Sequence, residues 1–171
     1  EKFIRFTKEI GEGYLNQKIQ LYMMMANRTL FKNNNFGSGN GWHKDSYAKQ
    51  FKSILYLNDV NKDNGPFQIV KNSKSDLFLM NLFQKLKNKY PSTRFEDNEI
   101  KKILNNYENQ VIEFTAPAGS LILADTSLIH RGKPLNNGTR LALTNYFYPE
   151  EKFSDHDEHF KPMIKKNSIK K

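Results

Sequence analysis

Strand-like segments stand on both sides of a stretch with helical spacing, and no other feature of the chain restricts its fold as much. Before the middle, "QFKSILYLNDV" (50–60) sets Phe51, Ser53, Leu55 and Leu57 against Lys52, Ile54 and Tyr56, the two-residue period of a mostly buried strand. The turn "NKDNG" (61–65) leads to a short strand, "PFQIV" (66–70). After the middle come "QVIEFTA", the turn "PAG", "SLILAD" and "TRLALTNYFY". Between the two sets, "SKSDLFLMNLFQKLKNKY" puts Leu79, Leu82, Phe83 and Leu86 on one helical face behind a Ser75 cap. "STRFEDNEIKKILNNYEN" does the same with Ile100, Ile103, Leu104 and Tyr107, and Thr93 with Glu96 has the spacing of a capping box. An earlier apolar run, "NQKIQLYMMMANRTLFK" (16–32), reads as a buried strand, with a helix left open by its period; "NNNFGSGNG" (33–41) reads as a loop. Strands around a helical insertion at 75–108 predict a mainly β protein, an antiparallel barrel or sandwich with helices to one side.

The 171 residues are one domain's worth, with no internal repeat or linker, so residues 1–171 read as a single domain. The chain opens on Glu1 rather than Met, and a shortened N-terminus is the expectation. Residues 150–171 read as an acidic, then basic tail. No apolar run approaches a membrane span and no secretory signal is visible; with no cysteine at all, disulfides and thiolate metal sites are excluded and a cytoplasmic setting is expected. The net charge of +9 invites a nucleic-acid partner, but the lysines are scattered among asparagines or gathered in the tail "KPMIKKNSIKK", without a recognition motif. A small-molecule substrate fits better.

The chemistry-bearing residues start with "GWHKDS". At i and i+2 on a strand, His43 and Asp45 face the same way while Lys44 points away, so both can reach one ion. A third ligand is needed, and "SLILADTSLIHRGKP" supplies His130 after a buried strand, ahead of a Gly/Pro turn. Two imidazoles and one carboxylate on one side of a metal leave open positions on the other, an arrangement suited to non-haem Fe(II) oxygen chemistry. Arg140, in "GTRLALTNYFY", shares a strand face with Ala142 and Thr144, opposite Leu141 and Leu143. A guanidinium on an apolar strand needs an anion, either one of the chain's own acids or a bound carboxylate held bidentately. His156 and Glu158 in "SDHDEHF" repeat the His-x-acid spacing but read as a solvated acidic loop rather than a second site.

With "WHKD", "NGPFQIVKNS" and "APAGSLILADTSLIHRGKP…GTRLAL", the chain resembles, from about Ala26 to Tyr148, the Fe(II)/2-oxoglutarate dioxygenases of the phytanoyl-CoA dioxygenase type. The resemblance implies a double-stranded β-helix, a cupin-like jelly roll, with His43, Asp45 and His130 binding Fe(II). It implies that 2-oxoglutarate chelates the iron through its keto-acid end and pairs its far carboxylate with Arg140. O2 is then the oxidant, and ascorbate an activator. Thr144 is an added cosubstrate contact, and Tyr22, Asn27 and Lys32 are candidates for the cosubstrate or substrate wall. Two departures are visible. Many members carry a serine where this chain has Gly132, so another hydroxyl serves or the contact is absent, and little chain precedes residue 16 for the helices that members pack on the sheet. Asp45, where a small residue would favour halogenation, argues for hydroxylation. The competing readings are a cupin-like metal-dependent isomerase, a sugar-binding jelly roll, or a non-catalytic interaction domain; none of these needs Arg140.

Overall fold

A computed structural model describes residues 2–86, 92–104 and 107–153. The chain begins with helix α1 (Lys2–Leu15), then strands β1 (Ile19–Leu30), β2 (Trp42–His43), β3 (Phe51–Tyr56) and β4 (Phe67–Val70). Helix α2 (Asp76–Lys85), strand β5 (Arg94–Phe95) and helices α3 (Asp97–Ile103) and α4 (Tyr107–Gln110) form the middle. Strands β6 (Val111–Phe114), β7 (Leu121–Asp125), β8 (His130–Gly132) and β9 (Thr139–Pro149) follow, and a 3-10 turn covers Glu150–Phe153. They pair into two antiparallel sheets, one in the order β1-β9-β3-β7 and the other β5-β2-β8-β4-β6. The mainly β architecture with a helical insertion, expected from the order of segments, is the one observed, a jelly roll.

The core between the sheets follows from strand alternation. Ile54 and Tyr56 of β3, Ile122 and Ala124 of β7 and Ala142 of β9 meet Phe67 of β4 in one buried cluster. The Tyr56 hydroxyl ties the sheets, donating to the Phe114 carbonyl at 3.0 Å and accepting from the Phe67 N–H at 2.9 Å. Both of its hydrogen-bonding roles are thus spent inside the protein, as burial of a phenol requires. The helical middle builds a second cluster in which Trp42, Val70, Leu82, Phe95, Ile100 and Ile129 are all buried. That cluster backs the short strand carrying His43.

Four expectations need correction. Residues 16–32 contain a strand, Ile19–Leu30, but an edge strand: β1 pairs only with β9, and past Ile19 its residues are half-buried or exposed. Its three methionines mark an apolar composition, which does not reveal how many neighbours a strand has. Ahead of it, α1 was not anticipated. Ile4, Thr7, Gly11 and Leu15 recur at helical spacing, and Ile4, Ile10 and Leu15 pack on Ile19, Phe51 and Phe147, so a helix does cover this end of the sheet. The second helix of the middle starts at Glu96, not Thr93, because Arg94 and Phe95 pair with His43 and Trp42 as β5. The Glu96 N–H then bonds Glu99 at 2.8 Å, and the helix ends at Ile103, short of Tyr107. Finally, His130 lies within a strand of its own, β8, rather than in the connection after β7. Ser75 caps α2 as expected, accepting from the Phe78 N–H at 3.2 Å. His156, Glu158 and the basic tail lie outside the described residues.

Candidate metal centre and anion pocket

The register of the two sheets decides which side chains meet. His43 and His130 are direct partners in the β2–β8 ladder, and their ring centroids lie 4.2 Å apart. Beyond the two residues of β2, the Asp45 N–H bonds the Thr126 carbonyl at 3.0 Å, which fixes the carboxylate beside both rings. His43 Nε2 is 3.7 Å from Asp45 Oδ1, and His130 Nε2 is 3.7 Å from Asp45 Oδ2. Among the described residues these three form the one group with ligand atoms all within 4.8 Å of one another. Lys44 points the other way and is buried, its ammonium on the Ser73 carbonyl at 2.9 Å.

The donor set fits a metal in its protonation as well as its position. His43 Nδ1 is 2.9 Å from the Gly41 carbonyl and His130 Nδ1 is 2.9 Å from the Leu128 carbonyl. A carbonyl only accepts, so in the neutral ring each Nδ1 carries the proton and each Nε2 turns a lone pair toward Asp45. Burial disfavours the imidazolium of both residues, and for His130 the neighbouring His43 adds to it, so both pKa values fall below the ordinary histidine range. Asp45 stays ionised: burial pushes its pKa up, but Lys52 and His130 pull it lower overall. Its Oδ2 is buried, so its charge needs a positive partner close by.

One cation already stands there. Lys52 Nζ lies 2.5 Å from Asp45 Oδ2 and 4.1 Å from the centre of the Tyr146 ring. Lys52 was missed as a site residue, although a signal existed: on β3 it shares the inward face of Ile54 and Tyr56.

His43, His130, Lys52 and Tyr146 line a cavity of about 180 Å3 whose floor is the first sheet. Along β9, Tyr146 stands beside Lys52, Thr144 beside Ile54 and Met25, and Ala142 beside Tyr56 and Asn27; Arg140 closes the row. Arg140 and Thr144 are buried at 5% and 7% exposure. Arg140 donates from Nη2 to Ser38 Oγ at 2.6 Å and from Nη1 to the Gly65 carbonyl, with Thr29 Oγ1 at 3.5 Å. Among the described residues no carboxylate pairs with it. Of the residues singled out in the sequence, His43, His130, Arg140, Thr144 and Asn27 line the cavity, and Asp45 stands beside the two histidines. Lys32 does not: it is exposed beyond the end of β1. Tyr22 packs edge-on against Tyr148, ring centroids 5.2 Å apart, outside the cavity wall. Ser38 gave no signal in the sequence, because a serine in a glycine-rich loop reads as a turn former.

No curated protein sequence matches the chain. Among solved structures it is similar to AviO1 from Streptomyces viridochromogenes Tue57, with a TM-score of 0.56 at 14% identity over 84% of this chain and 57% of that one. It is similar to EctD from S. alaskensis with bound Fe, with a TM-score of 0.57 at 12% identity over 83% of this chain and 49% of that one. SnoN, described as a non-heme alpha ketoglutarate dependent epimerase from nogalamycin biosynthesis, gives a TM-score of 0.50 at 14% identity over 83% and 52%. At these identities the likeness is one of fold, and the chain spans about half the length of the structures it matches. The family model of Phytanoyl-CoA dioxygenase (PhyH) matches residues 10–142, from the middle of α1 to Ala142, and so takes in His43, Asp45, His130 and Arg140. The chain therefore belongs to the phytanoyl-CoA dioxygenase family.

Proposed function

We propose that this protein is a non-haem Fe(II)- and 2-oxoglutarate-dependent oxygenase that hydroxylates a small-molecule substrate. The observation that carries the reading is the shared cavity: the two histidines of a His–Asp–His cluster stand at one place on its wall and, at another, a buried arginine without an acid partner among the described residues. A metal-dependent isomerase or a sugar-binding jelly roll has a use for the first and none for the second. Similar structures support the cofactors, since EctD was crystallised with Fe and with 2-oxoglutarate and 5-hydroxyectoine, and SnoN is described as alpha ketoglutarate dependent.

In this reading His43 Nε2, His130 Nε2 and an Asp45 oxygen hold the ion, and bound iron supplies the O2 and redox chemistry. The Gly41 and Leu128 carbonyls fix both imidazoles in the tautomer that can ligate. Arg140 receives the far carboxylate of 2-oxoglutarate, offsetting the cost of keeping a guanidinium out of water. Ile54, Phe67 and Ala142 make the surrounding wall apolar, which strengthens both interactions by excluding solvent. The overall change is oxidative decarboxylation of 2-oxoglutarate to succinate and CO2, one oxygen atom of O2 going to succinate and the other to the substrate.

The test is to supply purified protein with Fe(II), ascorbate, O2 and 2-oxoglutarate and to follow succinate. Turnover that disappears in His43→Ala is expected. Absence of both turnover and 2-oxoglutarate binding by the Fe(II)-loaded protein would refute the proposal.

A further inference from the structure

The loop between β1 and β2 comes closer to the site than a covering loop needs to. Gly37 and Gly39 both have left-handed backbones, at φ +82° and +81°. A Cβ on Gly37 would lie 1.9 Å from the Gly132 carbonyl oxygen, and one on Gly39 would lie 2.2 Å from His43 Cε1. The backbone at these two positions therefore rests directly on β8 and on a candidate metal ligand, an approach only glycine permits. Further bonds hold the loop there: the Gly132 N–H donates to the Ser38 carbonyl at 3.1 Å, and the Arg94 guanidinium donates to the Gly39 carbonyl. Between the two glycines stands Ser38.

The Ser38 side chain occupies space that β8 leaves for it. A Cβ on Gly132 would lie 2.0 Å from Ser38 Oγ and 2.7 Å from both terminal nitrogens of Arg140. Ser38 Oγ accepts from Arg140 Nη2 at 2.6 Å. A hydroxyl that accepts from a guanidinium keeps its own O–H to give, and the group it can best give to is an anion drawn to the same guanidinium. Thr29 Oγ1, at 3.5 Å from Nη2, is a more distant hydroxyl on the same side.

We infer that Ser38 is a cosubstrate-binding residue: its hydroxyl completes the carboxylate site of Arg140 from the loop, and the missing side chain at Gly132 makes room for it. The inference rests on the proposed function, since it presumes that Arg140 receives the far carboxylate of a 2-oxo diacid. It adds that the loop is part of that site and that residues 38 and 132 share one volume, so that a hydroxyl can come from either side but not from both.

The experiment is anaerobic calorimetric titration of the Fe(II)-loaded full chain with 2-oxoglutarate and, separately, with 2-oxobutyrate, which has the same chelating end but no far carboxylate. Ser38→Ala is expected to weaken 2-oxoglutarate roughly ten-fold or more, the size for one hydrogen bond to a charged group, and to leave 2-oxobutyrate unchanged. Gly132→Ser alone should weaken 2-oxoglutarate as well, by crowding Ser38 and the guanidinium. In Ser38→Gly with Gly132→Ser, the hydroxyl is supplied from β8 and only the guanidinium has to shift, so most of the affinity should return. Wild-type protein that binds 2-oxoglutarate no better than 2-oxobutyrate would remove the diacid reading itself. Tight 2-oxoglutarate binding that Ser38→Ala leaves intact would keep that reading and overturn the role of Ser38. A double variant no better than Gly132→Ser would overturn the shared volume, and an equal loss of both keto acids in Ser38→Ala would mean that the serine only supports the loop.

Discussion

His43 and His130 face each other across the β2–β8 ladder, and each spends its Nδ1 on the carbonyl two residues before it, Gly41 and Leu128. The repetition gives two imidazoles the same tautomer from two local backbone contacts. Removing one ligand from such a set costs more than disturbing its support, which by itself is worth about 10–100-fold in metal affinity. His130→Ala should therefore weaken divalent metal binding by more than ~100-fold, read from Co(II) absorbance or calorimetry without oxygen. Retention of wild-type affinity by a folded variant would remove His130 from the metal set.

Arg140 sits at the far end of the same row of side chains, and its variants separate an oxygenase site from a bare metal site. Losing one partner of a desolvated charge pair costs ~2–5 kcal/mol of binding, roughly thirty- to several-thousand-fold. Arg140→Ala should lose that much 2-oxoglutarate affinity while binding metal as before. Arg140→Lys should recover only a part, because an ammonium cannot reproduce the planar fork. Equal 2-oxoglutarate affinity in wild type and Arg140→Ala is the outcome that contradicts this role.

Trp42 ties the candidate metal centre to the helical middle. It is fully buried among Val70, Leu82, Phe95, Ile100 and Ile129, and the Arg131 guanidinium lies 4.2 Å from its ring centre. Trp42→Ala should cost ~3–5 kcal/mol in urea unfolding, and metal binding should weaken with it because His43 is the next residue on the strand. A loss below ~1 kcal/mol would show that the helical cluster does not support β2.

Much of this arrangement was legible before the fold was seen, and the reason is periodicity. Arg140, Ala142 and Thr144 share a face because side chains alternate on any strand, and that face lines the cavity. The same rule put Lys52 with Ile54 and Tyr56, yet a lysine in a strand is usually read as an outward residue, and its inward place beside Asp45 went unread. Ser38 was illegible for another reason: its role depends on which strand the loop crosses, and spacing holds no information about that. β8 was hidden because three residues are too short for a pattern, and its pairing is decided by its neighbours β2 and β4. Lys32 was expected at the wall as a residue of the strand leading to His43, but that strand ends at Leu30 and the chain carries Lys32 outward.

Asp125 gives a pH dependence independent of any metal. It ends β7, where Tyr14 from α1 and Lys74 each reach its Oδ2 at 2.6 Å, and the Ser127 hydroxyl reaches Oδ1 at 2.6 Å. The backbone N–H groups of Gln50 and Ser127 add 3.2 Å and 3.0 Å contacts to Oδ1. Burial alone would push this carboxyl up, but the bonds from Lys74, Ser127 and Tyr14 outweigh it and hold the carboxyl well below the usual carboxylate range. Lys74 is 40% exposed, so its share is partly screened by solvent and salt; the donors from Ser127 and Gln50 are the protected part. A folded-state pKa below the unfolded value near ~3.9 means that the unfolded chain takes up the proton first. The stabilisation is therefore complete at neutral pH and is lost as the pH falls below about 4. Asp125→Asn should lower stability at pH 7 by about 1.5–3 kcal/mol, the range for hydrogen bonds to a charged group. The gap between wild type and variant should close as thermal unfolding is repeated at lower pH. A gap that stays constant from pH 7 to pH 3 would mean that the carboxylate's charge contributes nothing.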